Sequence, residues 1–338
     1  MRKNLIERWR AIKRSRANLA LLIAGCVLLV LALAWRFAIA PSVKVVASDF
    51  DQRYFYEGTL TTYINPPGLP VPAGEMPARK SVIVESRVFS RFELCTPGTS
   101  VVEEDTRLLS RETGEEISKF KSVYAIDRKT GEMVKGRGSD SDRGGFYIVF
   151  PFTTPRTRVP VWSELTGNTH QANFGKDSKL EGLPVYEFAL EYHNEPVAKA
   201  PEGFPAELTG RQLKDILQMP DLSISDEAIV KPSYLGGAVA DFSVEPNMGT
   251  IARMGGAQQT VSLQAGGEGS GFTVTRLLYR LEFSQTKNSV TQTVTFAREE
   301  VSKLKVQFLY IPLLLLALGI ASLLVGGFAG VSANKEKP

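Results

Sequence analysis

The sequence predicts a mainly β, extracytoplasmic body flanked by N- and C-terminal transmembrane α-helices. Three observations carry that expectation: an uncharged apolar run near each end, alternating segments between them, and glycine-centred turns joining those segments. The sheet expected is an antiparallel meander, closed or sandwiched.

Residues 1–17 are a basic segment, with Arg2, Lys3, Arg8, Arg10, Lys13, Arg14 and Arg16 against the single acid Glu7. Such an excess beside a span predicts a cytoplasmic N-terminus. Residues 18–40 form the first span, uncharged from Leu19 to Trp35 and lengthened past Arg36, whose stem can snorkel. Ala38-Ile39-Ala40 imitates a signal-peptide cleavage site, but Pro41 follows it, so the segment reads as an uncleaved anchor. Residues 308–331 form a second uncharged span and 332–338 a short tail. Two spans place both termini in the cytoplasm and residues 41–307 outside the cell membrane. Small residues recur every fourth position, at Ala20 and Ala24 on the first helix and at Ser322, Gly326 and Gly330 on the second. That spacing lets helix backbones approach closely, within one chain or in a homo-oligomer.

The chain's 40 Lys and Arg against 36 Asp and Glu give +4 overall. Eight of the basic residues and one acid lie in 1–40, and two Lys and one Glu lie in 308–338. The external part therefore keeps 30 basic and 34 acidic residues, a net of −4. The basic character belongs to the leash and suits the lipid bilayer, and nucleic acid is not an expected partner. Cys26 lies in the first span and Cys95 outside, so the two cannot pair within the chain.

The external body is expected over residues 41–285. SVIVESRVFSRFEL (81–94) alternates cleanly, with Val82, Val84, Val88, Phe92 and Leu94 on one face and Glu85, Arg87, Arg91 and Glu93 on the other. LLSRETGEEI (108–117), YAIDRKTGEMV (124–134) and FSVEPNMGTIA (242–252) each read as two strands joined by a turn whose Gly supplies positive φ. Leu183–Leu190 and Thr273–Phe283 are further strands. Pro66–Pro77 and Pro196–Pro205 are irregular connections, and Leu208–Met219 a short helix stopped by Pro220. GGEGSG (266–271) reads as a hairpin tip, since it contains no basic residue and no helix follows it. Residues 286–307 are expected as an amphipathic helix, since Val290, Val294, Ala297, Val301 and Leu304, continued by Phe308 at the start of the span, recur at steps of four and three. The β-branched run SVTQTVTF offers a competing strand reading there. A helix would couple the body stiffly to the bilayer.

GGFYIVFPFTTPRTRVPVW (144–162) stands apart. In a strand, Phe146, Ile148, Phe150 and Phe152 share one face, Tyr147 and Val149 the other, and both faces are apolar. The expectation is a central strand covered on both sides. The alternative is a strand lining an apolar cavity, groove or partner surface, with Trp162 nearby.

The same stretch, followed by LEGLPVYEFAL, resembles the hallmark of the bacterial porin PorA family, once a domain-of-unknown-function family. Phe150-Pro151-Phe152, then Trp162, then Gly182-Leu183-Pro184-Val185-Tyr186-Glu187-Phe188 follow the family's order. YAIDRKTGEMV and SVEPNMGTI resemble its two hairpins, and the terminal spans also match. Glu181 replaces the usual Asp, and residues 196–235 are longer than is typical. The resemblance implies a two-anchor envelope protein with no established catalytic residues. Its layout is similar to that of the class B scavenger receptors, whose β-rich ectodomain encloses a lipid tunnel.

No enzyme site emerges. His170 and His193 fall in apparent loops, H-E-x-x-H, G-x-S-x-G and C-x-x-C are absent, and Cys95 has no adjacent His. Glu103-Glu104-Asp105 and Glu115-Glu116 read as hydrated turn residues. No cofactor or metal is expected. The expected function is a non-enzymatic binding module for a lipid-like envelope ligand. The alternatives are a porin-type channel and a structural or assembly subunit of a membrane complex.

Overall fold

The computed structural model describes residues 2–64, 77–266 and 272–334. Most of the expected 66–77 connection and of the 266–271 hairpin tip lies outside the described residues. The chain divides into two units, Met1–Val45 with Glu299–Pro338, and Val46–Arg298.

The first unit is an antiparallel helix pair. Helix α1 (Arg2–Ala34) passes through a π turn at Trp35–Ile39 into the short α2 (Ala40–Val43). The returning helix α5 (Ile311–Asn334) follows a π turn at Val306–Tyr310. Both helices are long and apolar enough to cross a membrane. Their contact runs through glycines: a Cβ on Gly25 would stand 2.8 Å from the Gly319 carbonyl, and one on Gly326 3.1 Å from that of Asn18. At the other end the Trp35 indole donates to the Gln307 carbonyl at 3.0 Å. Ser322 is half-buried and Gly326 buried, whereas Ala20 and Ala24 are exposed. On the first helix Gly25 therefore takes the place expected for the alanines, because only a residue without a Cβ admits the opposing backbone. The surroundings of Gly330 lie outside the described residues. Leu19, Val30, Leu33, Leu314 and Val325 remain exposed, the apolar exterior a bilayer requires.

The second unit is one antiparallel sheet of 11 strands. In chain order they are β1 (Asp51–Thr62), β2 (Ala78–Ser90), β3 (Thr99–Ser110), β4 (Glu116–Asp127), β5 (Met133–Val134), β6 (Val159–Ser163), β7 (Asn168–Leu180) and β8 (Leu183–Pro196). An excursion, β9 (Leu208–Thr209), α3 (Gly210–Leu217) and β10 (Ile229–Val230), precedes β11 (Ser233–Val244), β12 (Ile251–Gly266) and β13 (Thr273–Gln285). The spatial order is β5-β4-β3-β2-β1-β13-β12-β11-β8-β7-β6, a meander broken only by the excursion.

The edge strands β5 and β6 are linked by a strip between them. Met133 N donates to Gly145 O at 2.8 Å, Phe146 N to Pro160 O at 2.9 Å, and Trp162 N to Phe146 O at 2.8 Å. The sheet thus curls until its edges share one piece of chain. On β1–β4 the outer face is charged, carrying the pairs Asp51–Arg87, Glu85–Arg107, Glu103–Lys121 and Asp105–Lys119.

The three glycine turns form as expected, with Gly114, Gly131 and Gly249 at φ of 71°, 81° and 67°. Strand β2 ends sooner than the alternation implies. Arg91 leaves extended geometry, a 3-10 turn follows at Phe92–Leu94, and Phe92 and Leu94 are exposed. The expected helix at 208–219 is α3, opened by a reciprocal capping box between Thr209 and Gln212. Its Leu213 and Leu217 pack with Tyr234, Leu263 and Leu278 over one end of β11–β13.

The stretch before the second span is helical: α4 (Lys287–Lys305) buries Val290, Val294 and Ala297 against Leu183, Val185 and Ala252. The strand alternative fails there because one helical seam suffices to bury these residues. Arg298 donates to the Glu181 carbonyl and Thr291 to the Glu181 carboxylate, tying α4 to the β7–β8 turn.

Candidate functional site

Phe146–Phe152 is not a strand. It makes isolated bridges only, Phe146 to Val161 and Val149 to Thr250, and then hooks onto the β11–β12 turn. Phe150 N donates to Gly249 O at 2.8 Å and Thr154 N to Pro246 O at 2.8 Å. A Cβ on Gly249 would lie 2.0 Å from the Phe150 carbonyl oxygen, so only glycine permits this approach. Glu245, buried, holds the turn by accepting from Asn247 N at 3.1 Å and Met248 N at 2.8 Å. These bonds, with the donor-less Pro151, take the segment out of a two-residue period.

Its side chains consequently serve two clusters. Phe146 and Phe150 join Val159, Val161, Phe188, Phe242 and the alanines of β7, β11 and β12. Tyr147, Ile148, Val149 and Phe152, together with Trp162, pack against Val88, Val102, Tyr124, Ile126 and Met133. The five residues singled out from sequence do not share a face.

Register fixes the inner face on the second side. Ser90, Val102 and Tyr124 lie in one cross-strand row, Val88, Glu104 and Ser122 in the next, and Tyr54, Ser86, Thr106 and Phe120 in a third. Glu104 is thus an inward carboxylate in mid-strand, 9% exposed. Ser86 donates to its Oε1 at 3.1 Å. The Thr106 hydroxyl stands 2.8 Å from Ser86 Oγ and 3.1 Å from the same Oε1. These partners are neutral, so burial dominates and pushes the Glu104 carboxyl above the ordinary carboxylate range, against the pull of Ser86, Thr106 and Tyr147. Burial, then the Glu104 charge, raises Tyr54 and Tyr124.

Glu104 Oε2, the Tyr124 hydroxyl and Trp162 Nε1 are buried with no hydrogen-bond partner among the described residues. Tyr124 meets Tyr147 edge to face at 5.5 Å. Arg143, 5% exposed, lies 5.7 Å from the Tyr124 ring but is already engaged. Its guanidinium donates to Glu164 at 2.7 Å, Asp140 at 2.6 Å, the Ser122 hydroxyl and the Val123 carbonyl. Arg143 thereby bridges β4 to the residue that follows β6.

The inner face opens away from this nest. Leu60, Leu108 and Leu281 are only half-buried and Phe120 is 39% exposed. Sequence reasoning placed both histidines in loops, but both sit on strands. His193 is exposed beside Glu191, and His170 stacks on Tyr192 at 3.7 Å, its pKa lowered by burial. Sequence reasoning also missed Glu104 and Arg143. No cluster of three metal-ligating residues occurs among the described residues.

A family model described as Porin PorA matches residues 17–328. No curated protein matches the chain.

Proposed function

The chain belongs to the porin PorA family, a membrane protein by its two spanning helices, and from that membership we propose that its β unit is a non-enzymatic, extracytoplasmic receptacle for an amphiphilic envelope ligand. One observation carries the reading. The curled sheet turns the ion pairs of β1–β4 outward and leaves apolar side chains half-exposed on the inner face, at Leu60, Leu108, Phe120 and Leu281. A sheet of 11 strands is wider than the eight whose side chains alone fill a barrel, which favours an interior that holds something else. The apolar residues suit a hydrocarbon tail, and the polar nest around Glu104 suits a head group.

Photo-crosslinking in cells tests this. A benzophenone amino acid replacing Phe120 should give adducts with an envelope amphiphile, whereas one at Phe55, on the outer face of β1, should not. Equal yields at the two positions, or adducts to protein alone, overturn the reading.

Conduction is the second reading, favoured by the family's description. The spans of one chain offer it no polar lining, so it would need several chains. Steps of current in planar bilayers containing the purified full chain would establish it.

A further inference from the structure

We propose that the nest around Glu104 binds the cationic nitrogen of an organic amine. This rests on reading the inner face as ligand-bearing, and it names the head group. Among the described residues no cation bonds the Glu104 carboxyl. Arg143, the cation beside the Tyr124 ring, is held by both Glu164 and Asp140. Among the described residues Glu104 has only neutral hydroxyls about it, Ser86 and Thr106 on one oxygen and Tyr147 alongside, and its Oε2 makes no hydrogen bond of good geometry. A buried carboxylate in that condition either stays protonated or takes a cation.

The lining favours the second outcome for an organic cation. Tyr54, Tyr124, Tyr147 and Trp162 all belong to the cluster beside Glu104. Aromatic faces attract ammonium groups, and more strongly where water is excluded. The Tyr124 hydroxyl, buried and unpaired, supplies an acceptor for a second N–H. A metal ion would favour further His, Cys, Asp or Glu ligands, and the described residues bring no three of these together. The half-exposed Phe120 lies across from Thr106, which touches Glu104, so the apolar approach leads to the carboxylate.

The test uses the full chain in nanodiscs of uncharged lipid, with empty discs as blank. Saturation-transfer NMR compares hexylammonium, tetramethylammonium and hexanol. Hexylammonium should bind at least tenfold more tightly than hexanol, and Glu104→Gln should erase that preference. Tetramethylammonium should compete, which assigns the site to the charged nitrogen rather than the chain. Affinity of the unmodified protein should fall on acidification as Glu104 protonates. Burial keeps the tyrosines facing it neutral, and Arg143, desolvated but raised by its bonds to Glu164 and Asp140, stays charged, so the pH series stands even if the Gln variant folds poorly. Equal binding of hexanol and hexylammonium overturns the amine while leaving the apolar receptacle intact. Binding of neither probe overturns the amine as well, and leaves the crosslinking experiment to judge the receptacle.

Discussion

On one side of the curled sheet Phe150 meets Phe188 and Phe242 with ring centroids 5.0 and 5.7 Å apart. On the other, Tyr54, Tyr124 and Tyr147 gather near a carboxylate. The backbone is the same antiparallel ladder on both sides. On the phenylalanine side Ala172, Ala238, Ala240 and Ala257 leave room for the rings, and the polar atoms find partners: Ser163 and Tyr192 hydroxyls stand 2.7 Å apart, and Thr166 Oγ1 and His170 Nε2 2.8 Å. On the tyrosine side three buried polar atoms have none among the described residues. One side is arranged for packing alone. The other retains polar groups that packing would have removed.

The largest effect should come from the packed side. Phe150 is fully buried, so Phe150→Ala removes a ring from between two others and should cost about 3–5 kcal/mol. Thermal unfolding followed by circular dichroism should show it as a fall of roughly 2–4 °C per kcal/mol. A loss below about 1 kcal/mol would mean that the Phe150 side is loosely filled too, and the contrast would fail.

The tyrosine side should answer in the opposite direction. Its Glu104 carboxyl has a raised pKa through burial, so the folded state binds the proton more tightly than the unfolded chain does. Stability from this group is complete below the ordinary value of 4.5 and is lost as pH rises through the folded value. Glu104→Gln has no proton to lose. The variant should match the parent in acid and exceed it near neutrality by roughly 1–2 kcal/mol, the scale of a buried polar group left unsatisfied. A difference in unfolding temperature that does not change with pH would show that Glu104 is solvated or paired.

Part of this contrast was legible in the sequence. The hairpin glycines, the alternation of β2 and the helical seam of α4 each follow from a local rule that tertiary packing does not oppose. The two spans follow from length and charge. The segment 146–152 was not legible, because a period of two cannot separate a strand covered on both faces from a coil that feeds two clusters. What takes it off the period is the remote turn carrying Gly249. Glu104 was misread for a different reason: three adjacent acids look like a hydrated turn. Continued through β3, the alternation sets Val102, Glu104, Thr106 and Leu108 apart from Glu103, Asp105 and Arg107, and so places Glu104 alone among the inward residues. Arg143 gave no such signal, since apart from Asp140 its partners come from β4 and from beyond β6.

The finest test of the contrast changes the same atom on each side. Tyr192→Phe removes a hydroxyl that stands 2.7 Å from Ser163 Oγ, and should cost about 0.5–1.5 kcal/mol while leaving Ser163 short of a partner. Tyr124→Phe removes a hydroxyl that has none, and without amine should be neutral or stabilising. In saturating hexylammonium the second substitution should turn unfavourable, because the acceptor for the amine's second N–H has gone, while the first should stay as it was. Equal costs for the two variants without amine would mean that both hydroxyls are satisfied, and the two sides of the sheet would then differ in shape alone.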